Sequence, residues 1–251
     1  MSLTQFFCLS LAFGVGFFTF LADSRETGGG FLRVTAALCG SFSMIALAFH
    51  LTYGQLLGAQ SILLTVATLS FAMIYFFHQD EKTYLMRLLY ITHNVSLLLA
   101  MYRFNNAHTL EFAFSLSSSL LLGSITYAMV MGHWYLVTPR LSEKPLQYAT
   151  YFMWLLLVIK IAWTGYTYLS LGEYFVSGTN LGAGYIFNWL MLTMRIGWGY
   201  VVIAVMSYFA YRLISMRSIQ SATGMLYAMT FFILVAELIS NYMFFEYGMM
   251  I

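Results

Sequence analysis

The sequence predicts an all-α integral membrane protein, a bundle of eight transmembrane helices with both termini on the non-cytoplasmic side. Three observations support this fold: the composition, the lengths of the apolar stretches and the placement of lysine and arginine. Of the 251 residues, 61% are hydrophobic and only 8% are charged, whereas a soluble domain carries roughly 25% charged residues. The composition therefore excludes a soluble enzyme, a nucleic-acid-binding protein and a disordered chain.

The first half of the chain contains four stretches that can cross a bilayer. A helix needs about 20 mostly apolar residues to span a hydrocarbon core ~30 Å thick. Three of the four stretches end at a polar connection. The four stretches are predicted at residues 3–22, before DSRETGGG; 31–53; 56–77, before HQDEKT; and 84–102, before RFNNAHTLE.

The second half contains four further stretches, at residues 112–134, 148–171, 186–214 and 222–245. Pro139 and Pro145 both lie between the fifth and sixth stretches, where a missing backbone donor does not interrupt a spanning helix. No connection is long enough to fold alone, so residues 1–251 are predicted to form one membrane domain. A duplication of four spans is too faint in the sequence to assign.

The distribution of lysine and arginine sets the orientation, because cytoplasmic connections are enriched in these residues. Arg103 lies on the side predicted to be non-cytoplasmic, and Lys160 and Arg195 lie within spans. The remaining members of the 11 lysines and arginines lie near the odd-numbered connections: Arg25, Arg33, Lys82, Arg87, Arg140, Lys144, Arg212 and Arg217. This bias places both termini outside and is typical of insertion from a cytoplasm, as in a bacterial inner (plasma) membrane.

Five ionisable residues fall within the spans: His50, His93, Lys160, Arg195 and Glu237. A charge at mid-membrane costs at least ~2.5 kcal/mol on insertion scales, so each group needs a partner, a hydrated cavity or a function. With the predicted orientation, all five lie in the middle or outer layers. Polar stripes on spans four, six, seven and eight therefore predict a polar pocket that opens toward the non-cytoplasmic side.

The residue types in this pocket suggest separate roles. Glu237 and His93 are candidate proton-transferring, catalytic groups, whereas Lys160, Arg195 and Asn241 are candidate substrate-binding groups. Two imidazoles can ligate a b-type haem; the candidate ligand pairs are His50 with His93 or, as the alternative, His78 with His133. Haem b and quinone are thus the candidate cofactors. In the alternative interpretation, Glu237 pairs with Lys160 or Arg195 and the cluster only holds helices together.

Three functions remain open. The first is a redox subunit that handles quinol, with or without haem, through the outer polar pocket. In layout, eight spans with both ends outside, the chain resembles the quinol-oxidising membrane anchors of the NrfD and DmsC type. The alternatives are a structural or assembly subunit of a larger membrane complex, and a proton- or anion-coupled transporter. The bilayer and partner membrane or peripheral subunits are the expected partners, without nucleic acid.

Overall fold

The computed structural model describes residues 3–22, 27, 29–53, 58–77, 84–106, 108–138 and 141–251. This part of the chain is mostly helical and contains no strand. Short 3₁₀ turns follow the first and sixth helices, at Thr19–Leu21 and Gly172–Phe175. The long helices are α1 (Leu3–Phe18), α2 (Gly29–Tyr53), α3 (Ala59–Phe77), α4 (Tyr84–Phe104), α5 (Thr109–Val137), α6 (Lys144–Ser170), α7 (Tyr185–Ser215) and α8 (Ile219–Tyr247).

Helices α2 to α8 are each long and apolar enough to cross a membrane. Their described ends lie within four residues of the predicted ones, and the start predicted at residue 56 falls outside the described residues. Helix α1 is shorter than predicted, because its 16 residues give way to a 3₁₀ turn at Thr19. At 1.5 Å per residue, α1 covers only about 24 Å.

The helices form two groups of four with the same packing plan. In the first group α1 contacts α2 and α4, and α3 completes the ring by contacting both of those helices. In the second group α5 contacts α6 and α8, and α7 completes the ring in the same way. Replacing each helix by the one four positions later reproduces this pattern. The fold therefore consists of two four-helix groups with equivalent packing, a repeat that could not be assigned from the sequence alone.

The two groups meet where α1 crosses α5. A Cβ atom on Gly14 would lie 2.1 Å from the Ser119 carbonyl oxygen, and one on Gly123 would lie 2.2 Å from the Gly14 carbonyl carbon. The two backbones thus touch directly, as small residues allow in membrane helices. Most of α1 is buried by this crossing and by its neighbours in the first group. A short helix is tolerated at this position because protein surrounds it on several sides.

The helix ends define two faces, named here by their connections. At the α4–α5 face, Phe6 at the start of α1 packs against Phe104 and Phe245 at the ends of α4 and α8. At the α7–α8 face, Arg217 Nη2 lies 3.0 Å from Glu143 Oε2.

The described basic residues near helix ends are divided between these faces. Arg103 lies near the α4–α5 face, and the α7–α8 face has Arg33, Arg87, Lys144, Arg212 and Arg217. Arg25, Lys82 and Arg140 lie outside the described residues. Within the described chain the charge asymmetry is therefore present.

Candidate functional site: a buried charged cluster

The second four-helix group has charged side chains in its core. Lys160 on α6, Arg195 on α7 and Glu237 on α8 have no solvent-accessible surface, and Asn241, one turn beyond Glu237, is also buried. Four of the predicted site residues are thus brought into one group of helices. We refer to Lys160, Arg195, Glu237 and Asn241 as the charged cluster.

An ion pair links α7 to α8 at the centre of the cluster. Arg195 Nη2 lies 2.7 Å from Glu237 Oε1, and both side chains are fully buried. The distance is that of a strong charge-assisted hydrogen bond. Glu237 therefore pairs with Arg195 and not with Lys160, one of the two pairings that the adhesive interpretation allows.

Lys160 has a separate environment. Its Nζ donates hydrogen bonds to Ser118 Oγ at 2.8 Å and to Ser240 Oγ at 3.2 Å. It also lies 3.6 Å from the ring centroid of Phe114, where the negative face of the ring attracts a cation. Neither of the two ion pairs found among the described residues involves Lys160. With Lys160, Arg195 and Glu237 ionised, the cluster carries a net charge of +1.

A π-helical segment, Arg195–Val202, holds the arginine in place within α7. Its i→i+5 bonding puts Arg195 and Tyr200 on the same side, so that Arg195 Nε donates to Tyr200 OH at 3.2 Å. The Tyr200 hydroxyl in turn donates to the Lys160 carbonyl oxygen at 3.1 Å and lies 2.5 Å from Thr164 Oγ1. Tyr200 thereby connects the ion pair to the backbone of α6.

Glycine at position 199 permits this arrangement. A Cβ atom there would lie 2.9 Å from the Ala236 Cβ and 3.0 Å from Arg195 Nη1. Gly197, in contrast, faces open space, so of the two glycines in IGWGY only Gly199 closely approaches a neighbour. π-Helical segments occur frequently at functional sites.

Several polar atoms of the cluster have no hydrogen-bond partner among the described residues. They are Arg195 Nη1, Glu237 Oε2 and both amide atoms of Asn241. Buried polar groups are almost always hydrogen-bonded, and an exception calls for an explanation such as a bound water or ligand. The cluster thus offers one acceptor oxygen, one cationic donor and one amide to a small polar molecule.

The histidines lie elsewhere. His93 is fully buried in the first group, where it packs on Phe71 and its Nδ1 lies 3.3 Å from the Ala67 carbonyl oxygen. Its Nε2 points toward α1, because a Cβ atom on Gly16 would approach that nitrogen to 2.9 Å. Nδ1 is thus held by a backbone carbonyl, whereas Nε2 has no hydrogen-bond partner among the described residues, an arrangement that helix packing and metal ligation share.

His50 and His133 lie near opposite faces of the bundle. His50 is half-buried near the end of α2, at the α4–α5 face, whereas His133 lies near the α7–α8 face. His133 Nδ1 is 2.9 Å from the Tyr227 hydroxyl. These two residues cannot ligate the same haem. His78, the other candidate considered beside His133, lies outside the described residues.

Sequence reasoning missed the contribution of α5. The polar stripes predicted that α4 joins α6, α7 and α8, but α4 packs in the first group and α5 takes that place through Ser118 and Phe114. Ser118 belongs to the run SLSSSLLLGS, and such small residues predict tight helix packing.

Two cavities near the helix ends are lined by described residues. One, of about 420 Å³, is at the α4–α5 face between α4, α5 and α8, and its lining includes Glu111, Phe104, Phe244 and Phe245. The other, of about 340 Å³, is between α2, α5 and α8 and is lined by His133, Trp134 and Tyr227 among others. Both volumes are in the range of small-molecule pockets, roughly 300–1,000 Å³.

Comparison with known proteins identifies no relative of this chain. No family model, no curated protein and no solved structure matches it. Its function is therefore argued from the chemistry of its own residues.

Proposed function

We propose that this chain is a membrane-embedded redox subunit that binds quinol. In this proposal the chain spans a bacterial plasma membrane eight times, with α1 as the first span, and the α4–α5 face is non-cytoplasmic. The observation that carries the proposal is the charged cluster, which is buried, has two basic residues for one acidic residue, and leaves donor and acceptor atoms unbonded. A partner subunit supplies or receives the electrons.

The residue types of the cluster match the needs of quinol oxidation. A quinol loses two protons and two electrons, and an anion forms when the first proton leaves before the electrons do. A buried positive charge such as Lys160 stabilises this anion more than it stabilises the neutral quinol. Glu237 Oε2 has no hydrogen-bond partner and can accept the proton, while Asn241 can donate to a quinone oxygen. The second proton leaves to the non-cytoplasmic side, and the electrons pass singly to a one-electron carrier, a haem or an iron–sulfur centre, of the partner subunit.

Bound quinone is the first measurement that tests the proposal. The protein is purified in mild detergent, and extracted lipid is analysed for quinone. We expect a near-stoichiometric amount in the wild type, a loss of about tenfold in Lys160→Met, and no loss in Lys144→Met. Lys144 is the matched control because it is an exposed lysine at the α7–α8 face, at the other end of the helix segment that leads to Lys160. Absence of quinone from the wild type contradicts the proposal.

An optical spectrum in the oxidised and dithionite-reduced states tests for haem in the same sample. Soret and α-bands at near-stoichiometric intensity would assign a b-type haem to this chain and direct mutagenesis to His50, His93 and His133. A featureless spectrum would assign the electron acceptor to the partner subunit. The quinol proposal is compatible with both results, because it depends on the charged cluster and not on the histidines.

A structural or assembly subunit is the second candidate, favoured by the bonding of Lys160 and the Arg195–Glu237 pair. These contacts join α5, α6, α7 and α8. If adhesion is their only role, Lys160→Met changes stability without changing any bound ligand.

A proton- or anion-coupled transporter is the third candidate, favoured by the π-helical interruption of α7 and by the two equivalent four-helix groups. Transporters commonly place their sites at interrupted helices between repeats. Uptake of a labelled anion into proteoliposomes would distinguish this candidate from the other two, since neither of them moves solute.

A further inference from the structure

The cavity at the α4–α5 face is separated from the charged cluster by two layers of side chains. Phe244 and Met250 line the cavity and also pack against Phe114. Phe114 in turn holds its ring 3.6 Å from Lys160 Nζ. A molecule in the cavity therefore lies within two side chains of a buried positive charge.

Aromatic rings form much of the cavity wall. The ring centroids of Phe104 and Phe245 are 5.3 Å apart, and those of Phe245 and Phe244 are 4.8 Å apart. Phe244 continues this series to Phe114, at 4.8 Å. Contiguous phenylalanine rings provide a surface on which a flat ring can stack in an offset or edge-on geometry.

Polar groups line the same cavity. Glu111 lies in the first turn of α5, is half-buried and takes part in neither of the two ion pairs among the described residues. Asn106 lines the cavity in a left-handed conformation, with φ of 51°. The wall therefore combines aromatic rings with polar groups, and such polar groups orient a small ligand.

The position of the cavity also suits a lipid-soluble ligand. It lies at the ends of α4, α5 and α8, where the α4–α5 connection marks the boundary of the apolar helices. Gly248, with φ of 71°, ends α8 in the left-handed conformation and turns the chain so that Met250 contributes to the wall. Helices of both four-helix groups meet here, and ligand sites are common at such boundaries.

We infer that this cavity binds the ring of a quinone or quinol, with Glu111 as its polar anchor and Phe244 and Phe245 against its face. The inference rests on the proposed function and changes it in one respect: with the ring in this cavity, Glu237 and Asn241 do not contact it directly, and Glu111 is the carboxylate that bonds it. In this arrangement the charged cluster acts on the ring electrostatically through the Phe114 layer.

Two of the five tryptophans report on the two cavities separately. Trp163 packs against Phe114, with ring centroids 6.0 Å apart, and so lies beside the cavity at the α4–α5 face. Trp134 lines the other cavity. Because quinones quench tryptophan fluorescence at short range, the identity of the quenched tryptophan reveals which cavity is occupied.

The test titrates a decyl-tailed benzoquinone into the full chain in phosphatidylcholine nanodiscs. We expect saturable quenching that is lost in Trp163→Phe and retained in Trp134→Phe. Glu111→Gln should weaken binding about tenfold, the effect of losing one charged hydrogen-bonding group. The matched control, Glu143→Gln, removes a carboxylate at the opposite face and should leave the affinity unchanged.

Each other outcome has a definite meaning. Quenching that persists in Trp163→Phe but disappears in Trp134→Phe overturns the inference, because the ring is then in the other cavity, while the proposed function stands. Unchanged affinity in Glu111→Gln likewise overturns it. Extraction of a tightly bound phospholipid that the quinone does not displace shows that the cavity is a lipid site. Absence of both quenching and bound quinone refutes the proposed function as well.

Discussion

The buried ion pair between Arg195 and Glu237 gives the sharpest prediction about this fold. Replacing Glu237 by alanine should lower the free energy of unfolding by about 3–5 kcal/mol, because the change leaves an uncompensated buried charge. Arg195→Ala should cost a similar amount at neutral pH. The double variant Arg195→Met/Glu237→Leu should lose much less than either single change, because it buries no charge at all.

The magnitude follows from the geometry of the pair. At 2.7 Å and an effective dielectric constant of about 20, the Coulomb attraction is about 6 kcal/mol. Desolvation of the two fully buried ions costs several kcal/mol for each. The attraction and the two penalties nearly cancel, so the pair adds little net stability. Removal of one partner cancels the attraction and leaves one penalty in full.

Unfolding by sodium dodecyl sulfate in mixed micelles, followed by tryptophan fluorescence, measures these differences. The matched control is the exposed pair Arg217–Glu143, at 3.0 Å. Breaking that pair with Glu143→Ala should cost less than about 1 kcal/mol, as surface pairs do. The reasoning fails if Glu237→Ala and Glu143→Ala cost the same, or if the double variant loses the sum of the single losses.

Three further predictions concern packing, the π-helical segment and topology. Gly123→Ala should cost several kcal/mol, since its Cβ would lie 2.2 Å from backbone, whereas Gly224→Ala, with no atom within 4 Å, should gain up to about 1 kcal/mol. Tyr200→Phe removes a hydroxyl bonded to Arg195 and α6 and should cost about 1–3 kcal/mol; Tyr208→Phe, on an exposed side chain, should be neutral. The single variants His108→Cys and Ser218→Cys should react with an impermeant thiol reagent from opposite sides of the membrane. Reaction of both cysteines from the same side would refute the predicted orientation.

Most of the membrane architecture could be predicted from the sequence, because the bilayer imposes a length and a polarity on each helix. Helices α4 and α7 were predicted to within two residues at each end. Helix α1 was predicted too long, because Thr19–Leu21 is as apolar as the rest of the stretch but forms a 3₁₀ turn. A hydropathy profile does not detect that difference, because it depends on the side chains and not on the backbone conformation.

The arrangement of the helices could not be predicted in the same way. In a membrane, a lipid-facing leucine and a protein-facing leucine are equally apolar, so no hydrophobic stripe marks the buried side. Leu169 is 85% exposed and Leu157 on the same helix is 5% exposed. Only polar and small residues distinguish the two sides. Ser118 is both polar and small, but its run of small residues predicted helix packing and not its hydrogen bond with Lys160.

The first four-helix group serves as an internal comparison for the second. Both have the same packing plan, but the buried polar residues described in the first group are neutral side chains such as Ser43 and Asn94, together with His93. No lysine, arginine, aspartate or glutamate is buried among its described residues. Four helices of this chain therefore associate without any buried formal charge of these types. By this comparison, four helices can pack without charges such as those of Lys160, Arg195 and Glu237. The free-energy cost of burying these charges is therefore expected only where they serve a function.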